Sequence, residues 1–134
     1  MTIRVLVIDD SATMRAILMS RLSTEPDIVV IGTAAHAAEG RELIKRFNPD
    51  VVTLDIEMPG MDGLTFLRQQ MAECPIPTVI CSSLSTEGSR IALDALAAGA
   101  VAVVAKPRLG LRQFLEDSRR ELISTLKAAA MSRP

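Results

Sequence analysis

The chain has no tryptophan and no tyrosine, and three phenylalanines are its whole aromatic content in 134 residues. That is too few to build a base-stacking platform or to sandwich a flavin. Cysteine occurs twice, at Cys74 and Cys81, seven positions apart, and histidine once, at His36. Neither a CxxC pair nor a zinc-ligand spacing results. Both thiols are expected to be reduced, Cys81 within an apolar run and Cys74 in a connection ahead of Pro75. His36 is expected on the surface or capping a helix. No apolar run approaches the ~20 residues needed to cross a bilayer. Met1-Thr2-Ile3-Arg4 leads straight into a strand-like segment, without a signal region. A cytoplasmic location is expected, with no membrane partner. A net charge of −1, with basic pairs only at Lys45-Arg46 and Arg119-Arg120, gives no case for a nucleic-acid surface. No GxxxxGK[ST] occurs, which excludes a P-loop, and no GxGxxG follows the first strand-like run, which counts against dinucleotide binding.

What is present is a balance suited to one globular domain with a real core, 49% hydrophobic and 23% charged. Five short apolar runs rich in Val and Ile recur: Val5 to Ile8, Ile28 to Ile31, Val51 to Leu54, Thr78 to Cys81 and Val101 to Ala105. They are nearly continuous rather than alternating, as in parallel strands covered on both faces. Helical spacing lies between them. Met14, Ile17, Leu18 and Leu22 share one face. Leu43, Ile44 and Phe47 share another, ended by Asn48-Pro49. Leu64, Leu67 and Met71 form a third, ended by Cys74-Pro75. A fourth helix spans about Glu87 to Ala98 and stops at Gly99. The last carries Leu111, Phe114, Leu115, Leu122 and Leu126. The methionines at 14, 19, 58, 61 and 71 are expected in core and loop packing. Residues 1–127 read as one domain, and 128–134 as the start of a linker or a frayed end. Alternating strands and helices imply an α/β fold with a parallel sheet and helices on both faces. Periodicity alone leaves the strand order open.

The acids are placed in a telling way. Asp9 and Asp10 follow the first strand and Asp55 follows the third. Ligands of open parallel sheets bind beyond the carboxyl ends of the strands, where the strand order reverses. If strands one and three are neighbours, ~4.8 Å apart, three carboxylates meet in one cleft and require a cation. An all-oxygen set of this size suits Mg2+. Taken singly, Asp9-Asp10 could cap the next helix with Ser11, and Asp55 could be a polar strand end before Met58-Pro59-Gly60. Neither reading explains acids at two strand ends together with Lys106 at a third. Lys106 could bind a carboxylate or a phosphoryl oxygen. Ser82-Ser83 ends the fourth strand, where a hydroxyl could meet the same oxygen or simply form a turn. Asp55, ionised at neutral pH, needs no general base to attack phosphorus.

These residues resemble the response-regulator receiver domain. The resemblance runs from about Ile3 to Ala130. It rests on Val7-Ile8-Asp9-Asp10-Ser11, on Asp55-Ile56-Glu57-Met58-Pro59-Gly60-Met61-Asp62-Gly63, and on Ala105-Lys106-Pro107. A narrower likeness, to the regulatory domain of chemotaxis protein-glutamate methylesterases of the CheB type, rests on three further stretches. They are the run from Phe47 to Asp55, Cys81-Ser82-Ser83-Leu84-Ser85, and Lys106-Pro107 followed by Leu109-Gly110-Leu111-Arg112.

The resemblance implies a flavodoxin-like, doubly wound, five-stranded parallel sheet of order 2-1-3-4-5. It makes Asp55 the phosphoacceptor, with Mg2+ held by Asp10, Asp55 and the main-chain carbonyl of Glu57, and Asp9 helping through water. Ser82, with Ser83 as the alternative, is the switch hydroxyl. Lys106 is the site lysine, and its bond to Pro107 is expected to be cis. The phosphodonor is a chemotaxis histidine kinase, and the regulated activity is a methylesterase domain in cis or in trans. Stand-alone receiver, degenerate docking scaffold and aspartate-nucleophile phosphohydrolase are the alternatives. Two departures stand out. Val103 occupies a position often aromatic in receivers, and nothing in the chain supplies the serine-histidine-aspartate site of an esterase.

Overall fold

The computed structural model describes residues 2–57, 63–82, 86–105 and 112–131, with side chains at 86–89 and 112–119 outside the description. The elements are β1 (Ile3–Ile8), α1 (Ala12–Leu22), β2 (Ile28–Ala34), α2 (Ala37–Phe47), β3 (Val51–Asp55), α3 (Gly63–Glu73), β4 (Thr78–Ser82), α4 (Thr86–Ala97), β5 (Ala102–Ala105) and α5 (Arg112–Met131). The strands form one sheet in the order β2-β1-β3-β4-β5. Every pairing is parallel. This is the flavodoxin-like strand order, and it reverses between β1 and β3.

The sheet is buried from both sides, and its side chains divide by strand parity. Leu6, Ile8, Val52, Leu54 and Ile80 pack with Ile44 of α2, Phe66 and Leu67 of α3 and Ala95 of α4. Val5, Val7, Val51, Val79 and Val104 pack with Leu18 and Leu22 of α1 and Leu122 and Leu126 of α5. Central strands β3 and β4 are buried along their whole length, which is why they read as unbroken apolar runs.

Helix ends follow local chemistry. Ser11 caps α1, its side chain accepting from the Met14 amide at 3.2 Å. His36 caps α2, and Glu39 reaches back to the Ala35 amide. Asn48 ends α2 at a φ of 45°, and its carbonyl accepts from Arg4 at 3.0 Å. The Arg4 amide also donates to Asp50, so the entry to β3 is tied to β1. Gly99, with a φ of 118°, turns the chain out of α4.

The structure departs from the sequence reading in four places. β2 extends to Ala34, through Gly32 and Thr33, which carry no apolar signal. It also slips register, since Val5 pairs with Val30 but Leu6 pairs with Gly32, leaving Ile31 as an extra residue. Met19 is exposed rather than packed. The segment 128–131, expected beyond the domain, continues α5 to Met131, and Ala129 is fully buried in the core. Leu111, Phe114, Leu115, Met58 and Met61 lie outside the described residues or side chains.

Candidate functional site

At the carboxyl edge of the sheet, β1 and β3 run side by side up to the pair Ile8 and Leu54. The next residue on each strand is an aspartate. Asp9 and Asp55 are both 1% exposed. Asp10 is exposed, and one carboxylate oxygen from each of Asp9, Asp10 and Asp55 lies within 4.8 Å of the others. Adjacency of the two strands brings about this meeting of acids 45 positions apart in sequence.

The two buried acids are each held by a backbone donor. The Ser11 amide donates to Asp9 Oδ1 at 2.9 Å, and the Asp9 amide donates to the Ala34 carbonyl of β2. The Glu57 amide donates to Asp55 Oδ1 at 3.0 Å, folding the turn after β3 back over its last residue. Ser11, not Asp9 or Asp10, is therefore the side chain capping α1. α1 begins just beyond them, and the positive end of its dipole faces the negative cluster.

The electrostatics decide what the cluster can hold. Carboxylates this close repel one another, and burial of two of them removes much of the water that would screen the repulsion. A small divalent cation relieves the repulsion, and a purely oxygen donor set suits a hard ion rather than zinc or copper. The residues present fit such an ion.

Ser82 ends β4 at 3% exposure and pairs with Ala105, the last residue of β5. Lys106 is the next residue in sequence. Lys106, its bond to Pro107 and Ser83 lie outside the described residues. Val103 is half-buried in β5 opposite Ile80 and packs against the core on the α2–α4 side. Cys81, opposite Asp55, is buried, and Cys74 is exposed.

Two residues near the site escaped sequence reasoning. Thr53, two positions before Asp55 on β3, is buried, and among the described residues its hydroxyl has no hydrogen-bond partner. Arg15, on the first turn of α1, donates to the Asp9 carbonyl at 2.7 Å. A basic residue five positions after an acid pair gives no sequence signal of its own.

Comparison with known proteins agrees with this geometry. The model of the response regulator receiver domain matches residues 5–117. The chain is 58% identical over 132 residues to "Protein-glutamate methylesterase/protein-glutamine glutaminase 5" of Anaeromyxobacter dehalogenans, covering 98% of the chain and 36% of that relative. The chain thus spans about a third of the length of the curated relatives it matches. The response regulator domain of Thermotoga maritima CheB superposes with a TM-score of 0.86 at 36% identity, over 100% of both chains. The complex of the P1 domain of CheA3 with CheY6 from R. sphaeroides matches with a TM-score of 0.72 at 35% identity, over 91% of this chain and 97% of that one.

Proposed function

Since the chain belongs to the response-regulator receiver domains and is of the CheB type, we propose that Asp55 is its phosphoacceptor and that phosphorylation regulates a methylesterase attached to it or partnered with it. One observation carries the reading: Asp55 ends a buried strand with its carboxylate beside those of Asp9 and Asp10.

In the proposed step an oxygen of Asp55 attacks the phosphorus of a phosphohistidine on a chemotaxis histidine kinase. The new P–O bond forms as the P–N bond breaks, and its electron pair leaves with the imidazole. The product is an acyl phosphate on Asp55. The hydrogen bond from the Glu57 amide holds one carboxylate oxygen of Asp55 in place. Asp10, Asp55 and the Glu57 carbonyl would hold Mg2+, with Asp9 acting through water. When bound, that ion neutralises charge on the transferring phosphoryl group. Lys106, directly after Ala105, is assigned to a phosphoryl oxygen, and the Ser82 hydroxyl to the switch contact. CheY6 occurs in complex with the P1 domain of CheA3, and a comparable donor is proposed here.

The readout is assigned to α4, β5 and α5. Leu93 and Leu96 on α4 and Val101 just before β5 are large apolar side chains left exposed. They support a partner surface on that side of the molecule. Among the described residues no helix is long and apolar enough to cross a membrane, and a cytoplasmic site of action is proposed.

The test is labelling by radioactive acetyl phosphate with magnesium. The expected result is one acid-stable, alkali-labile phosphoryl group per chain, absent in Asp55→Asn while its amide NMR spectrum remains that of a folded protein. Full labelling of that variant overturns the assignment. Turnover of many equivalents of a small phosphoester would instead favour a phosphohydrolase.

A further inference from the structure

Asp10 is the exposed member of the acid cluster, yet both peptide planes that flank its Cα are held. The plane before it, joining Asp9 to Asp10, presents its oxygen to Arg15 at 2.7 Å. The plane after it, joining Asp10 to Ser11, donates its N–H to the Asp9 carboxylate at 2.9 Å. The Arg15 amide in turn donates to the Ser11 carbonyl at 2.9 Å, so the arginine stands on the helix that the acid pair leads into. Among the described residues its side chain bonds to this carbonyl and to no carboxylate of the cluster.

A surface aspartate at a strand-to-helix junction would ordinarily have a mobile backbone, since β1 ends at Ile8 and α1 begins at Ala12. Here a charge-assisted bond closes the gap. A guanidinium donor on a carbonyl is among the stronger hydrogen bonds available to a peptide group. An arginine that simply screened the acids would pair with a carboxylate. This one grips the main chain between two of them.

We infer that Arg15 is a positioning residue for the cation site: it locks the Asp9–Asp10 peptide plane and so sets the direction in which Asp10 presents its carboxylate. The inference rests on the reading of the acid cluster as the cation site. Supporting groups of this kind typically change metal affinity by 10–100-fold when removed, roughly.

The test is a titration of the full chain with magnesium chloride, followed by amide NMR shifts, for wild type, Arg15→Ala, Arg15→Gln and Arg15→Lys. Arg15→Ala should bind magnesium about tenfold more weakly, with Arg15→Lys recovering part of the loss because it keeps a charged donor. At saturating magnesium, acetyl-phosphate labelling of Arg15→Ala should approach the wild-type rate, which a loss of general stability would not produce. If Arg15→Ala does not fold, Arg15→Gln carries the same test. Folded variants with affinity within about twofold of wild type overturn the positioning role. A wild-type chain with no saturable magnesium response removes the cation reading itself, an outcome distinct from an unaltered Arg15→Ala.

Discussion

The carboxylates of Asp9 and Asp55 meet at the tops of two adjacent strands, and both side chains are withdrawn from solvent. The folded chain therefore stores repulsion at the proposed cation site. Asp55→Asn should raise the stability of the cation-free protein by about 1 kcal/mol, a few degrees in thermal midpoint. Added magnesium should stabilise wild type, by about 2.7 kcal/mol at a hundred times its Kd, and should stabilise the variant much less. Circular-dichroism melts with magnesium and with EDTA check both, since the chain has no Trp or Tyr for fluorescence.

Thr53 places a buried hydroxyl two residues below Asp55, between Val7 and Val79 of the neighbouring strands. Thr53→Val keeps the shape and removes the unsatisfied group. The expected effect is a gain of about 1 kcal/mol in urea unfolding, with acetyl-phosphate labelling unchanged. A loss of stability would mean that the hydroxyl is satisfied by water.

Gly63 opens α3 in close contact with the turn after Asp55. A Cβ there would lie 2.9 Å from the Ile56 carbonyl oxygen and 3.1 Å from the Ile56 Cα. These are backbone atoms, so the helix or the turn must shift. Gly63→Ala should cost about 1–3 kcal/mol and should also weaken magnesium binding, because the turn carries the Glu57 amide that holds Asp55. Equilibrium unfolding and a magnesium titration measure the two effects separately.

Lys127 on α5 lies 2.7 Å from Glu25 and 3.3 Å from Asp27, across the connection from α1 to β2. The hydrogen bond to Glu25, then that to Asp27, raises its pKa above the ordinary 10.5. A raised value in the folded state makes the stabilisation fully present below the ordinary lysine pKa. It is lost as pH rises through the folded value. The stability gap between wild type and Lys127→Gln should thus be level across neutral pH and close only in strong alkali. Denaturant midpoints at neutral and alkaline pH read this out. A gap that closes near neutrality would contradict it.

Much of this was legible beforehand where burial dictates residue type. β3 and β4 are covered on both faces, so Val51 to Leu54 and Thr78 to Cys81 could hardly be other than apolar, and their strands stood out. Asp9, Asp10 and Asp55 stood out as a group, because capping and a polar strand end do not together explain acids at two strand ends and a lysine at a third. Edge elements were less so. Gly32 to Ala34 extends β2 because it pairs with Leu6 to Ile8, a tertiary fact without local signature. Ala128 to Ala130 looked like a tail because small residues read as weak apolar signal, yet Ala129 fits a tight approach of α5 to the core. The pairing of Lys127 with Glu25, 102 positions apart, depends on topology alone. Strand order came from the family likeness, since periodicity is silent on it.

The register slip in β2 bears on how the chain behaves among its own copies. Ile28–Ala34 is an edge strand of seven residues without a charge or a proline, and Val29 is 46% exposed. Such a strand is a natural template for runaway pairing. The extra residue at Ile31 bends it partway along. A second molecule therefore meets no straight ladder long enough to extend the sheet. Geometry here can take the guarding role that lysines usually fill at an edge.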